Sequence, residues 1–429
     1  MARVRAVRRL LTVVVVGALA GCAQGSPPPA ASADPQLLTL AGVSRQAPGA
    51  DAPVAVAVAG LGRFADRFGR AVVEPGRNVV YSPLSIAYAF AMLRAAADRA
   101  TAAQLDTLFG YPHTGLHEAY NALSRGIVTT GDAPPRPSPG AIRGPAAPPT
   151  PPIMAIADGL FLQRGFQPTR AFLRTLAEQY GAAARAVDFH SDQAAEAING
   201  WVRKQTAERI KQIVDQLDPS TIAVIANAVY LEAEWTTRFE AAMTADRPFR
   251  RADGSTVQVP TMRQQEPLRY ATGSGWQAVE LPYASGELAM WMLVPTGDLP
   301  PSRLLSPEVL GAANATARQA RVEITLPRWD FGTNLSLLPL LAGLGLTNLS
   351  DLAGLSPEAT VTKALHRANI TVDESGTEAA AVTAIAIDAT APRPADVTVH
   401  ADHPFAFAIV HKASAAPLFL GQVADPAAH

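Results

Sequence analysis

Cysteine is nearly missing from this chain. The single one, Cys22, excludes an intramolecular disulfide and any cage built from several thiolates. Charge imbalance is missing too: 36 basic side chains face 37 acidic ones, so there is no electrostatic footprint for nucleic acid and none is expected as a partner. Motifs that carry enzyme chemistry are equally sparse, with no phosphate-cradling glycine loop, no HExxH pattern and no paired-carboxylate signature. Gly273-Ser274-Gly275 lacks the first glycine of a nucleophile elbow, with Thr272 in its place. His113 and His117 stand four apart, but Pro112 and Gly115 predict a turn there instead of a metal-binding helix face. These gaps point away from catalysis, and neither metal nor cofactor is expected.

What is present is apolar material. Hydrophobic residues make up 48% of 429 and charged residues 17%, enough for the core of a large globular domain. Arg3, Arg5, Arg8 and Arg9 precede the apolar run Leu10 to Ala20, which falls short of the ~20 residues that span a bilayer and has the form of a secretory signal. It ends in Leu19-Ala20-Gly21-Cys22, which resembles a bacterial lipobox. Residues 1–21 therefore read as a cleaved signal, and Cys22 as the thiol that takes a diacylglyceryl group. Two acyl chains give lasting attachment, and the expected location is the outer face of a bacterial cell membrane.

Residues 22–54 are rich in Ala, Pro, Ser and Gly and read as a disordered tether. A second proline-dense segment, 131–152, reads as a solvent loop inside one domain spanning 55–429. Ser82-Pro83 supplies a helix cap with proline at the first helical position. Ile198, Trp201, Val202 and Ile210 are spaced for one helix face. Ile222 to Glu232 is nearly continuous in apolar residues, as required of a central strand covered on both sides. Asn227 lies inside it, a polar group that must find a partner.

The most informative stretch begins at Glu374. Thr377, Ala379, Ala381, Thr383, Ile385 and Ile387 alternate as small or apolar residues, and both charges, Glu378 and Asp388, fall on the other parity. A strand made from this segment buries one face without burying a charge. Gly376 stands where that strand starts, with the backbone freedom of a hinge.

Glu374-Ser375-Gly376-Thr377-Glu378-Ala379-Ala380-Ala381 resembles the reactive-loop hinge of inhibitory serpins. Asn227-Ala228-Val229-Tyr230-Leu231, Leu326-Pro327-Arg328-Trp329 and the closing Pro417-Leu418-Phe419-Leu420-Gly421-Gln422-Val423 follow the family order. The resemblance covers about residues 55 to 426. It implies an α+β serpin fold: a large central mixed β-sheet, further sheets, about eight to nine helices, and an exposed reactive-centre loop over 374–398. It also implies a polar cluster of Ser82, Ser85, Asn227 and His366 where the sheet parts, with Trp235 at the top where insertion begins. The implied protein is no enzyme but a monomeric suicide substrate for a serine protease, with cysteine proteases as further targets. The protease cuts the loop, and the loop enters the sheet as a new strand. Counting from the hinge gives Thr390-Ala391 as the scissile bond; counting back from Pro404 gives a site near Arg393. The Arg393-Pro394 bond is a poor substrate because proline has no backbone N–H. Small residues about the cut fit an elastase-like or subtilisin-like protease. The alternative of a different class is a non-inhibitory serpin fold used as a surface binding module.

Overall fold

The computed structural model describes residues 35–128, 149–377 and 393–428. Cys22, the hinge residues Ala379, Ala380, Ala381 and Thr383, and the bond Thr390-Ala391 lie outside the described residues, as does most of the proline-rich loop.

One sheet organises the site. Its strands are β1 (Gln36–Leu38), β3 (Ile153–Gln163), β4 (Ala184–Val187), β5 (Ala223–Glu234), β11 (Trp329–Ser336), β12 (Val361–Val372) and β13 (Gly376–Thr377), in the spatial order β1-β4-β3-β5-β13-β12-β11. The sheet is mixed: β3 and β4 are parallel, as are β5 and β12, and the remaining neighbours are antiparallel. A second sheet holds β2 (Val79–Tyr81), β6 (Ala245–Arg250), β7 (Thr256–Gly273), β8 (Trp276–Pro282), β9 (Leu288–Pro295), β10 (Arg318–Pro327), β14 (Val397–His400), β15 (Phe405–His411) and β16 (Ala416–Val423).

Among the described residues there are eight α-helices: α1 (Val54–Val72), α2 (Pro83–Arg94), α3 (Arg99–Phe109), α4 (Leu116–Ile127), α5 (Arg170–Thr175), α6 (Ala194–Gln205), α7 (Pro307–Thr316) and α8 (Leu337–Gly343). Ser82 caps α2 by accepting from the Ser85 N–H, with Pro83 at the first helical position. Every residue from Pro83 to Leu93 is buried. An apolar helix without a wet face is buried in a core; α2 packs against β3 and β5 of this sheet and supplies Ser85 from there.

The parity of β5 divides the interior in two. Val224, Ala226 and Ala228 belong to a small core with Ile198 and Val202 of α6. Ala223, Ile225, Val229, Leu231 and Ala233 belong to the main core with α2. Asn227 shares the second parity, so it faces the main core and the underlying helix. Ile210 also joins the small core, but from the chain beyond α6, which ends at Gln205; the expectation of one helix face is corrected there.

Two further expectations change. The tether does not reach residue 54 as unstructured chain: Gln36–Leu38 pairs with Ala184–Ala186 at the sheet edge, Gln46 N–H bonds to Glu178 O at 2.8 Å, and Arg45 Nε donates to Asn121 Oδ1 at 3.0 Å. Apolar side chains at Leu38, Leu40 and Val43 give the segment something to bury. The boundaries 374–398 are also too wide for a free loop. Gly376 and Thr377 are already strand β13, and strand β14 begins at Val397.

Candidate functional site

The site is the seam between β5 and β12. In its lower part the two strands pair directly, from Val361 opposite Ala223 up to Ala368 opposite Val229, with His366 opposite Asn227. Directly opposed residues project to the same face of a sheet, so the two polar side chains meet in the core. His366 Nε2 accepts from the Ser82 N–H at 3.1 Å, which fixes the proton on Nδ1 and makes it the donor to Asn227 Oδ1. Asn227 Nδ2 donates to Ser85 Oγ at 2.5 Å and to Asp158 Oδ1. Burial pushes the His366 pKa down to about 3, so the ring is neutral, as this tautomer requires. Burial also raises the Asp158 pKa well above the usual carboxylate range, against the opposing hydrogen bond from Asn227.

In its upper part the strands part. Gly376 is opposite Glu234 and Thr377 opposite Ala233 on β5, while Thr377 is opposite Val372 on β12. The chain leaves β12, turns over with Ser375 N–H bonded to Asp373 Oδ1 at 2.8 Å, and enters between the two strands. Gly376 has φ +155°, and a Cβ there would lie 2.1 Å from Ala233 O; only glycine passes this point.

Trp235 holds the entry. Its N–H donates to Ser375 O at 2.9 Å, and its Nε1 donates to Asp373 O at 3.0 Å. Its ring stacks on Tyr283 with centroids 4.6 Å apart, and the Tyr283 hydroxyl lies 2.6 Å from Thr377 Oγ1. Glu374 is clamped by Arg328, whose Nε and Nη2 lie 2.9 and 2.6 Å from Oε1, and by the Thr244 hydroxyl. Burial would raise the Glu374 pKa, but the Arg328 and Thr244 hydrogen bonds outweigh it and lower the value.

Ser82, Ser85, Asn227 and His366 thus come together as one cluster, and Trp235, Glu374, Gly376 and Thr377 as another. Sequence reasoning missed Asp158, Tyr283 and Arg328 as members. Asp158 had a usable signal, since it is a lone carboxylate in the buried run Ala157 to Leu162. Tyr283 and Arg328 join only through tertiary contacts. Of the two histidines set aside earlier, His117 has a structural role: its pKa lowered by burial to about 4, it bonds the Tyr180 hydroxyl at 2.7 Å. His400 Nδ1 lies 2.8 Å from Thr325 Oγ1. No group of three or more potential metal ligands occurs among the described residues.

A family model described as Serpin (serine protease inhibitor) matches residues 60–426. Human neuroserpin is 32% identical over 374 residues, covering 81% of this chain and 86% of that protein. Bovine leukocyte elastase inhibitor is 30% identical, with 82% of this chain and 94% of that protein covered. The crystal structure of the thermophilic serpin tengpin in its native state has a TM-score of 0.78 at 23% identity, covering 91% of this chain and all of that one.

Proposed function

The chain belongs to the serpin family, whose members are mostly protease inhibitors, and on that premise we propose that it inhibits serine endopeptidases as a suicide substrate. The carrying observation is the position of Gly376 and Thr377, hydrogen-bonded between β5 and β12. The first two residues of an inserting strand are in register with both neighbours.

Continuing that antiparallel register brings Thr383 level with Asn227 and His366, the directly opposed pair. Insertion then breaks the His366–Asn227 bond and offers the Thr383 hydroxyl in its place, so a polar group meets polar groups and none is left unpaired. The same register brings Ile387 level with Ala223, the first residue of β5. A strand that fills the seam ends there, and a cut at Thr390-Ala391 lies beyond it. Cleavage at that bond frees enough chain for complete insertion. The Arg393 carbonyl accepts from Gln265 Nε2 at 2.5 Å, which holds Arg393 against the body and favours Thr390-Ala391 as the bond presented to an elastase-like or subtilisin-like enzyme.

The test is incubation with elastase or subtilisin. An inhibitor gives an SDS-stable complex whose mass equals protease plus the cut chain; a loop cleaved with free, active protease would refute the reading. The reading also includes secretion and anchoring through lipid on Cys22, so Cys22→Ala should move the protein from the membrane fraction to the medium.

A further inference from the structure

A cavity of about 580 Å³ lies at the edge of the first sheet. It exists because β3 and β4 pair only from Leu160 and Ala184 onward; before those points the chains part, and Ile156, Ala157 and Asp158 on one side face Gly181, Ala182 and Ala183 on the other. The segment after β1 closes it with Leu40 and Val43. Its volume falls within the ~300–1,000 Å³ of small-molecule sites.

Polar side chains line this space, among them Asp158, Trp201, Arg185 and Arg45. Asp158 is 9% exposed, and its Oδ2 is buried with no hydrogen-bond partner among the described residues. Trp201 Nε1 is buried and equally without a partner. The Arg185 guanidinium stacks over the Trp201 ring at 4.7 Å, and burial lowers its pKa to about 10. Its Nη1 donates to Ala183 O at 3.1 Å, which leaves further N–H groups to offer. Buried polar atoms without partners cost free energy, and a ligand that satisfies them recovers it.

We propose that this cavity binds an amphiphilic organic monocarboxylate, such as an aliphatic acid. The carboxylate takes the donors of Arg185 and Trp201, which meet on the α6 face of the sheet, while Asp158 lies on the other face with Asn227. The apolar body lies along Leu40, Val43 and Leu173. A monoanion fits best, because Arg45, the other guanidinium lining the cavity, is already bonded to Asn121 and Ser124, which leaves Arg185 to balance both charges of a dianion such as phosphate.

The test is calorimetric titration of the full chain with octanoate, with octanol as the neutral twin. Saturable 1:1 binding is expected for octanoate and at least about tenfold weaker binding for octanol. Arg185→Gln should weaken octanoate about tenfold or more, and Trp201→Phe, which keeps an aromatic ring, by a smaller factor. Circular dichroism and the melting midpoint check that both variants fold; if one does not, the other variant and the octanol comparison still decide. No binding, equal affinity for octanol, or unchanged affinity in a folded variant overturns the site.

Discussion

Below Ala368 and Val229, β5 and β12 bond to each other; above them, the same two strands accept Gly376 and Thr377 instead. The lower seam is closed by one small polar cluster that leaves Asn227 and His366 with partners and fully buried. The upper seam is held open by the entering chain, which Trp235, Tyr283 and Arg328 clamp from outside the strands. For the proposed loop insertion, the difference teaches where work would be needed. At the top the strand has begun to form. At the bottom a backbone ladder and a buried hydrogen bond would have to break first, and the proposed mechanism puts its barrier there.

The largest expected effect comes from Thr377→Arg. Thr377 is 2% exposed between two strands, so a guanidinium there has neither water nor a partner. Stable protease complex should be lost while cleavage of the loop continues, as read from gel band ratios; normal complex formation would remove the upper seam from the mechanism. Glu374→Lys comes next. It replaces the clamp on Arg328 by a like charge beside it, and unfolding should cost about 2–3 kcal/mol less. A denaturant titration checks the value, and no change would mean that the clamp does not hold the turn.

The smallest effect concerns the lower seam. Asp158 has a raised folded pKa, so above the ordinary carboxyl value the folded state keeps a proton that the unfolded chain has released, and stability falls as pH rises through that window. Asp158→Asn keeps a hydrogen-bonding side chain and removes this loss. It should gain on the order of 1 kcal/mol at pH 7–8 and nothing near pH 4. His366 has the opposite sign: with its folded pKa lowered to about 3, it costs stability as pH falls below the ordinary histidine value. It does so in both proteins and cancels from the difference. An equal gain at both pH values would show that the carboxyl's proton is not involved.

Much of this seam was legible in the sequence because its requirements are local. Alternation after Gly376 needs only period two, and Asn227 stands out as one polar residue in an apolar run. Family wording then joined Asn227 to Ser82, Ser85 and His366 across the chain. Asp158 carried the same signal, one carboxylate in an apolar run, but its partner Asn227 is distant in sequence and no family motif joins the two. Tyr283 and Arg328 sit on or beside the second sheet, and no spacing in the chain brings them to Thr377 or Glu374. The segment from Gln36 to Gln46 was misjudged for another reason. It lies within a longer stretch rich in Ala, Pro, Ser and Gly whose average hides Leu37, Leu38, Leu40 and Val43, a three-residue strand carries no periodic signal, and its partners Asn121, Glu178 and Ala184 appear only after folding.

The central claim is that the seam awaits the rest of its strand, and thermal unfolding before and after a single cut in the loop tests it most directly. A strand continuing from Thr377 with hydrogen bonds on both edges should contribute on the order of 10 kcal/mol, which for a domain of this size raises the midpoint by about 10 °C or more. A cut chain that melts at or below the temperature of the intact one would contradict the account.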